Sequence, residues 1–371
     1  MKIGIDASRS FGSQRTGTEN YSLKTIEELI KNHPDDDFVL YTREFSGRSW
    51  PVNAHEKRIV LPRLWTQLGL ALKTYIDRLD ILFIPSHTMP ILGKKSLKYV
   101  VTIHDLGVQF LPQYDKFPHK YYLDFTTKYA IRNADGLIAV SQTTKKDIVN
   151  FCPQAVSKTK VIYEGFDEEV FNTKISKKSI AEVKKKFELK DYILFVGTIQ
   201  PRKNLSRLIE AYAKIFPKLE GVDLVIVGKK GWNYEDILRM PKKLDVKKNV
   251  KFLGYVPDEF LPAMYKNAKI TVLPSLYEGF GLPILESMAV GTPVVVAKGS
   301  SLTEVVEKSG LLVNPKSVDD IAEKMLQLVT KKSIHARYSK LAIKRSKDFS
   351  WKTSAIKTRK FFDQIVGVYE L

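Results

Sequence analysis

Two glutamates with seven residues between them bracket a glycine-rich turn in Pro274-Ser275-Leu276-Tyr277-Glu278-Gly279-Phe280-Gly281-Leu282-Pro283-Ile284-Leu285-Glu286. Pro283 suits the first turn of a helix that follows a strand ending at Leu273. Gly279 and Gly281 let the backbone come close to a ligand, and the unpaired N–H groups at such a helix start attract an anion. A diphosphate would sit there. The carboxylates of Glu278 and Glu286 repel phosphate and are better suited to accept hydrogen bonds from the hydroxyls of a ribose and a sugar. A plain glycine-rich turn with surface glutamates is the competing reading. Gly-x-Gly alone, without the third glycine of a dinucleotide fingerprint, is weak, but strand, Glu, two glycines, Pro and second Glu together are much more specific.

A second group lies in Gly197-Thr198-Ile199-Gln200-Pro201-Arg202-Lys203-Asn204, after a strand and before a helix. Helix starts disfavour cations, so Arg202 and Lys203 there point to an anionic ligand, such as a departing diphosphate neutralised without a metal. In Gly12-Ser13-Gln14-Arg15-Thr16-Gly17-Thr18 the spacing Gly-x4-Gly-Thr lacks a P-loop lysine, which argues against a Walker-type NTPase and fits a loop closing on a ligand. His104-Asp105 follows a strand, and His87 sits in a similar place; each competes with an ordinary buried histidine. With 6 His, 1 Cys and no ligand-like spacing, no zinc site is expected.

These residues need strands to hold them. β-rich runs occur at Lys2–Asp6, Phe38–Thr42, Arg58–Leu61, Asp80–Ile84, Lys98–Ile103 and Gly136–Val140, then at Tyr192–Val196, Asp223–Val227, Asn249–Leu253, Lys269–Leu273 and Pro293–Ala297. Several are continuous apolar runs, as in parallel sheets covered on both faces. Amphipathic stretches separate them; in Leu205–Phe216, the side chains of Leu205, Leu208, Ile209, Tyr212 and Ile215 share one helical face. Alternation of this kind predicts a doubly wound α/β architecture. The strand signal lapses over Asp167–Lys190 and restarts at Tyr192, so two Rossmann-like halves join near residue 168. The expected domains are 1–168 with a returning helix at 353–371, and 169–352.

The length of 371 residues fits two domains, and 44% hydrophobic with 27% charged residues excludes a disordered, collagen-like or coiled-coil chain. Cys152 stands alone, which fits a reducing compartment, and neither a membrane span nor a signal peptide is expected. Net charge is +19; residues up to Gly165 hold 23 basic and 17 acidic side chains, so most of the excess lies later, in clusters such as Lys184-Lys185-Lys186 and Lys242-Lys243. The surplus favours anionic partners without choosing among phosphate, acidic lipid and nucleic acid. The apolar stretch Leu64–Lys73, beside Arg63 and Arg78, either packs as a helix on its own sheet or touches a lipid-linked acceptor or membrane surface.

Gly17-Thr18-Glu19-Asn20-Tyr21, Thr102-Ile103-His104-Asp105-Leu106, Val140-Ser141-Gln142, Val196-Gly197-Thr198 with Pro201-Arg202-Lys203-Asn204, and Glu278-Gly279-Phe280-Gly281-Leu282-Pro283 with Glu286 occur in the order found in one family. Together they resemble retaining GT-B glycosyltransferases of family 4, particularly mannosyltransferase-like members that build bacterial surface polysaccharide. The resemblance implies an α/β GT-B fold of two Rossmann-like domains facing a central cleft, with a C-terminal helix, starting near Trp351, that crosses back. It implies a catalytic set of His104, Arg202, Lys203 and Glu278. Glu286 would hold the donor ribose; Glu278, Gly279 and the Phe280, Gly281 and Leu282 backbone the sugar and phosphate; Lys203 and Arg202 the diphosphate. His104 would contact sugar hydroxyls, and the Gly17-Thr18 loop would close on donor and acceptor. Many members carry arginine where Thr198 stands, and Arg202 would take over that charge.

The implied function is transfer of a hexose, mannose from GDP-mannose foremost, to a saccharide or lipid-linked acceptor with retention and without a metal or other cofactor. The expected location is cytoplasmic, with contact at an anionic membrane surface as an option. A sugar phosphorylase or epimerase of the same fold is the enzymic alternative. A basic nucleic-acid-binding protein is disfavoured because the lysine clusters lack interleaved aromatics and no RNA-recognition signature is present.

Overall fold

The computed structural model of the chain describes residues 1–12, 15–107 and 119–367. Ser13 and Gln14 of the first glycine loop lie outside these. The chain separates into two compact units, one holding the described residues up to Gly165 and from Ser350 onward, the other Phe166–Phe349.

The first unit contains β1 (Lys2–Asp6), β2 (Asp37–Thr42), β3 (Ala54–Arg58), β4 (Ile81–Ile84), β5 (Lys98–Ile103), β6 (Gly136–Ala139) and β7 (Thr159–Val161). They form one sheet in the order β3-β2-β1-β4-β5-β6-β7, parallel throughout. Alternate side chains go to opposite faces, each covered by helices. On one face Ile3, Ile5, Phe38, Phe83 and Ile138 pack with Ile26 and Leu29 of helix Gly17–Asn32 and with Phe361 and Phe362 of helix Trp351–Val366. On the other, Val39, Leu82, Val101 and Leu137 pack with Trp65, Leu70, Ile131 and Ile148.

The C-terminal helix therefore belongs to the first unit. The Phe362 ring lies 5.3 Å from that of Phe83, and Arg359 donates to buried Asp36 (Nη2–Oδ1 3.0 Å), which also takes the Met1 ammonium at 2.9 Å. Burial alone would raise the Asp36 pKa, but these two cations bring it below the ordinary value.

The second unit contains β8 (Tyr192–Val196), β9 (Asp223–Val227), β10 (Val250–Gly254), β11 (Ile270–Leu273), β12 (Val294–Ala297) and β13 (Leu311–Val313), in the parallel order β10-β9-β8-β11-β12-β13. Counting from β8, that is the Rossmann order, with its switch point between β8 and β11. Helix Leu205–Ile215 buries the expected face, Leu205, Leu208, Ile209, Tyr212 and Ile215.

Three strands correct the sequence reading. The run Arg58–Leu61 is not a strand; β3 lies just before it, over Ala54–Arg58, and its Ala-His-Glu-Lys-Arg sequence suits an exposed edge, where charge blocks pairing with another chain. β7 and β13, absent from the sequence reading, are three-residue edge strands too short to produce a run.

The chain leaves the first unit after Gly165 and returns at Ser350, and the two connections touch. A Cβ at Gly165 would lie 2.1 Å from the Trp351 backbone nitrogen and 2.5 Å from the Ser350 carbonyl carbon. Backbone cannot yield as a flexible side chain can. Gly165→Ala is expected to destabilise the first unit by about 2–3 kcal/mol, at the upper end of overpacking costs, as read by urea denaturation. A variant as stable as wild type would show that the two connections separate freely.

Candidate functional site

Lys203 and Glu278, 75 residues apart, meet because β8 and β11 are neighbours, with Ile193 opposite Ile270 and Leu194 opposite Thr271. Both side chains leave the carboxyl ends of these strands at the switch point, where open α/β sheets bind ligands. Lys203 Nζ donates to Glu278 Oε1 at 2.6 Å, and both side chains are largely buried. Burial pushes the Glu278 pKa up, yet the Lys203 ammonium and the Arg202 guanidinium outweigh it and hold the pKa below the ordinary value.

The two loops are tied together. Arg202 and Lys203 occupy a 3-10 turn, Pro201–Lys203, ended by Asn204 in the left-handed region at φ 60°. That turn aims the Asn204 amide across at two carbonyls, Pro274 O at 2.9 Å and Pro315 O at 2.6 Å. Leu276 N–H donates to Arg202 O at 2.9 Å, and Arg202 Nη1 reaches Tyr277 O at 3.4 Å. From the other side the buried Ser301 hydroxyl lies 2.8 Å from Glu278 O and 3.1 Å from Phe280 O. Gly281, at φ 111°, caps helix Leu282–Ala289, with Pro283 in its first turn as expected; a Cβ there would lie 2.4 Å from Leu302. Phe280 is buried edge-on against Phe349 at 5.7 Å, and Leu282 is buried too, so the Gly279–Leu282 backbone is held from behind.

Glu286 lies on the same helix, one turn from its end, in a different electrostatic setting. Tyr265, fully buried in helix Leu261–Asn267, donates its hydroxyl to Glu286 Oε2 at 2.9 Å, and Phe171 packs edge-on against the Tyr265 ring at 6.0 Å. Burial, with the carboxylates of Asp258 and Asp167 adding to it, pushes the Glu286 pKa up to about 8 against the pull of the tyrosine bond. At neutral pH this carboxyl is mostly protonated. The loops Gly228–Gly231 and Gly254–Pro257 meet beyond β9 and β10, where Gly228 N–H donates to Gly254 O at 2.7 Å and Lys229 lies over the Tyr255 ring at 5.2 Å.

In the first unit His104 follows β5 and is buried. Its Nε2 sits 2.8 Å from Pro85 O and its Nδ1 3.4 Å from buried Glu164. With Nε2–H donating to the carbonyl, Nδ1 faces the Glu164 carboxyl, and burial raises the Glu164 pKa against the pull of His104. Tyr21 packs edge-on to the His104 ring at 4.7 Å and is 3.1 Å from the Thr102 hydroxyl. The His87 ring lies 5.5 Å from that of His104, its Nδ1 shielded without a partner, and burial drops its pKa to about 4. Gly17 and Thr18 open helix Gly17–Asn32, where Thr16 N–H donates to Glu19 Oε2 at 2.6 Å.

The structure thus brings together Arg202, Lys203, Glu278, Gly279, Phe280, Gly281 and Leu282 in the second unit, with Glu286 on the same helix. It places His104, Gly17 and Thr18 in the first unit. Sequence reasoning missed Glu164, Tyr265, Asn204 and Ser301. Asn204 was within reach, since a polar residue between a basic pair and a helix is a natural turn residue.

The fold is shared with known enzymes. Sucrose-phosphate synthase of Thermosynechococcus elongatus superposes with a TM-score of 0.80 at 19% identity, covering 100% of both chains. The Anabaena protein HepE, solved with UDP and glucose, gives 0.73 at 19% identity over 98% of this chain and 100% of its own. The architecture is that of the GT-B glycosyltransferases. The profile described as Glycosyl transferases group 1 matches residues 176–345, and that described as Glycosyltransferase Family 4 matches residues 23–170. O-antigen chain mannosyltransferase RfbU of Salmonella typhimurium is 31% identical over 320 residues, 82% of this chain and 84% of the relative. O-antigen chain mannosyltransferase B of Escherichia coli is 31% identical over 269 residues, 70% of this chain and 68% of the relative. The chain belongs to the family 4 glycosyltransferases and is an enzyme of that class.

Removing one partner of the buried pair leaves an uncompensated charge. Glu278→Ala is expected to destabilise the second unit by about 3–5 kcal/mol in chemical denaturation, and Glu278→Gln by clearly less, because its amide oxygen still accepts from Lys203. Equal losses in the two variants would mean that Lys203 finds other partners.

Proposed function

We propose that the protein transfers mannose from GDP-mannose, with retention and without a metal, to a saccharide or lipid-linked acceptor in surface-polysaccharide synthesis. The observation that carries the reading is the buried Lys203–Glu278 pair at the β8/β11 switch point, beside the start of helix Leu282–Ala289. The two O-antigen mannosyltransferase relatives support the choice of sugar and product class.

In this reading the diphosphate lies against the N–H groups at the helix start and draws Lys203 from Glu278. The freed Glu278 carboxylate, already ionised, accepts from a sugar hydroxyl. As the bond from C1 to the diphosphate oxygen breaks, Lys203 and Arg202 take up the developing negative charge. The acceptor oxygen bonds C1 from the same face, and its proton passes to the departing phosphate oxygen. No enzymic nucleophile is needed. Glu286 holds the ribose diol with the oxygen that Tyr265 leaves free. For His104 to meet the sugar it must exchange one ring contact for a hydroxyl, and the 3.4 Å contact to Glu164 is the weaker one.

The direct test is thermal stabilisation by GDP, UDP, ADP and their sugar conjugates in the presence of a chelator; UDP is included because HepE was solved with it. GDP and GDP-mannose are expected to stabilise the second unit, by about 2.7 kcal/mol at a hundredfold excess over Kd. Stabilisation only by another nucleotide would overturn the donor, and dependence on a divalent metal would overturn metal independence.

The Glu286 reading has its own signature. A carboxyl with a pKa of about 8 is neutral below that pH and must lose its proton to accept two ribose hydroxyls. Nucleotide affinity should therefore rise with pH and level off above about 8, tenfold for each unit by which binding lowers the pKa. Glu286→Gln should bind more weakly with that step gone. Calorimetry across the range would refute the role if the wild-type profile were flat or the variant kept the step.

A further inference from the structure

Helix Leu282–Ala289 is buried at every position except Pro283 and Glu286. Glu286 is therefore the one side chain on it that can both ionise and reach a ligand. A carboxylate in that position would ordinarily turn about its side-chain bonds and lose that freedom only on binding. Here it is already held, because the Tyr265 hydroxyl donates to Oε2 at 2.9 Å. The phenol is in turn fixed on several sides. Its ring is fully buried, with Phe171 edge-on at 6.0 Å. Thr292 Oγ1 donates to Tyr265 O at 2.7 Å, and Thr292 N–H donates to Ser287 O at 3.0 Å. The Ser287 hydroxyl lies 3.2 Å from Thr292 O and 2.8 Å from Thr271 Oγ1. Lys266 Nζ makes a second link, to Val290 O at 2.9 Å. One threonine thus ties the residue that donates and the helix that accepts to the same point, and the neighbouring residues repeat the tie.

Stability does not ask for this arrangement. A part-buried carboxylate can accept from water, and a phenylalanine ring at position 265 would fill the same apolar space without a hydroxyl to satisfy. What the bond supplies is direction. With Oε2 tied to the phenol, the carboxyl plane is set before any ligand arrives, and Oε1 is left to accept from it. We propose that Tyr265 is a positioning residue for the donor: by fixing the Glu286 carboxyl it makes the site select a nucleotide with an intact ribose diol over one that lacks it. The inference rests on the ribose role of Glu286 proposed above and adds the group that makes that role selective. A site that accepts from a ligand hydroxyl rejects the analogue without it because the acceptor is then left unpaired. A carboxyl free to turn escapes that penalty by meeting water instead, and selectivity falls.

The test compares the Kd of GDP with that of 2′,3′-dideoxy-GDP, and of UDP with 2′,3′-dideoxy-UDP, by calorimetry above about pH 8, where Glu286 is ionised. The proteins are wild type, Tyr265→Phe, Glu286→Gln and the double variant. Wild type is expected to prefer the ribonucleotide by about tenfold or more, and Tyr265→Phe by less than about threefold, as for a hydrogen bond to a charged group made and then largely lost. Tyr265→Phe should keep its melting temperature and its Kd for the dideoxy form. The double variant should match Glu286→Gln, because Tyr265 acts only through that carboxyl. A preference that Glu286→Gln abolishes and Tyr265→Phe retains in full would overturn the role of Tyr265 and leave the ribose reading standing. Equal weakening of both nucleotide forms by Tyr265→Phe would also overturn it and mark the phenol as structural. No binding, or no preference, in wild type would overturn the ribose reading itself and this proposal with it.

Discussion

The second unit is organised around one constraint, the burial of an ammonium and a carboxylate at the point where the strand order of its parallel sheet reverses. Removing two charges from water costs several kcal/mol per ion unless geometry and further bonds compensate, and well-packed apolar residues in their place often give a more stable protein. Stability is thus a poor reason for the Lys203–Glu278 pair. What surrounds it is arranged to hold it: the left-handed turn at Asn204, the amide bridging Pro274 and Pro315, and the Ser301 hydroxyl beneath the Glu278 carbonyl. Each fixes backbone on one side of the pair, so the two charges face each other without relying on long flexible side chains to find one another.

The same turn and helix give two glutamates opposite electrostatic fates. Glu278 is the more buried, yet it stays ionised because two cations are its neighbours. Glu286 is less buried but has a phenol and other carboxylates for company, and so gives up its charge near neutrality. Burial alone would rank them the other way. Environments that separate the pKa values of like groups allow those groups to take separate roles, and here a polyanionic ligand would meet one carboxylate, already paired with Lys203, rather than two.

The central strands, both glycine turns and the residues carried on them were legible in the sequence because each depends on local pattern: apolar runs, Gly-x-Gly, and Pro in a first turn. What the sequence hid was pairing across distance. Nothing near Glu286 announces Tyr265, which precedes β11 on another helix, and nothing near His104 announces Glu164 after β7. The edge strands were illegible for the opposite reason. β3 reads as polar loop because an edge strand has one open side to protect, and β7 and β13 are too short to show periodicity. Of the two readings of Leu64–Lys73, the packing one holds: the segment packs on its own sheet through Trp65 and Leu70, while its other apolar side is exposed.

Position also separates kinds of positive charge that composition merges. Lys184-Lys185-Lys186 fill the last turn of helix Lys177–Lys186, and Lys242-Lys243 the last turn of helix Glu235–Lys243. There the helix dipole favours cations, so these clusters have a local structural reason and imply no partner. Arg63 stands before a helical start, where the dipole opposes it, beside a leucine in an uncommon backbone conformation. Arg202 and Lys203 precede helix Leu205–Ile215 in the same unfavourable sense. In the second unit the opposing dipole is answered by Glu278 and, in the proposed reaction, by a diphosphate.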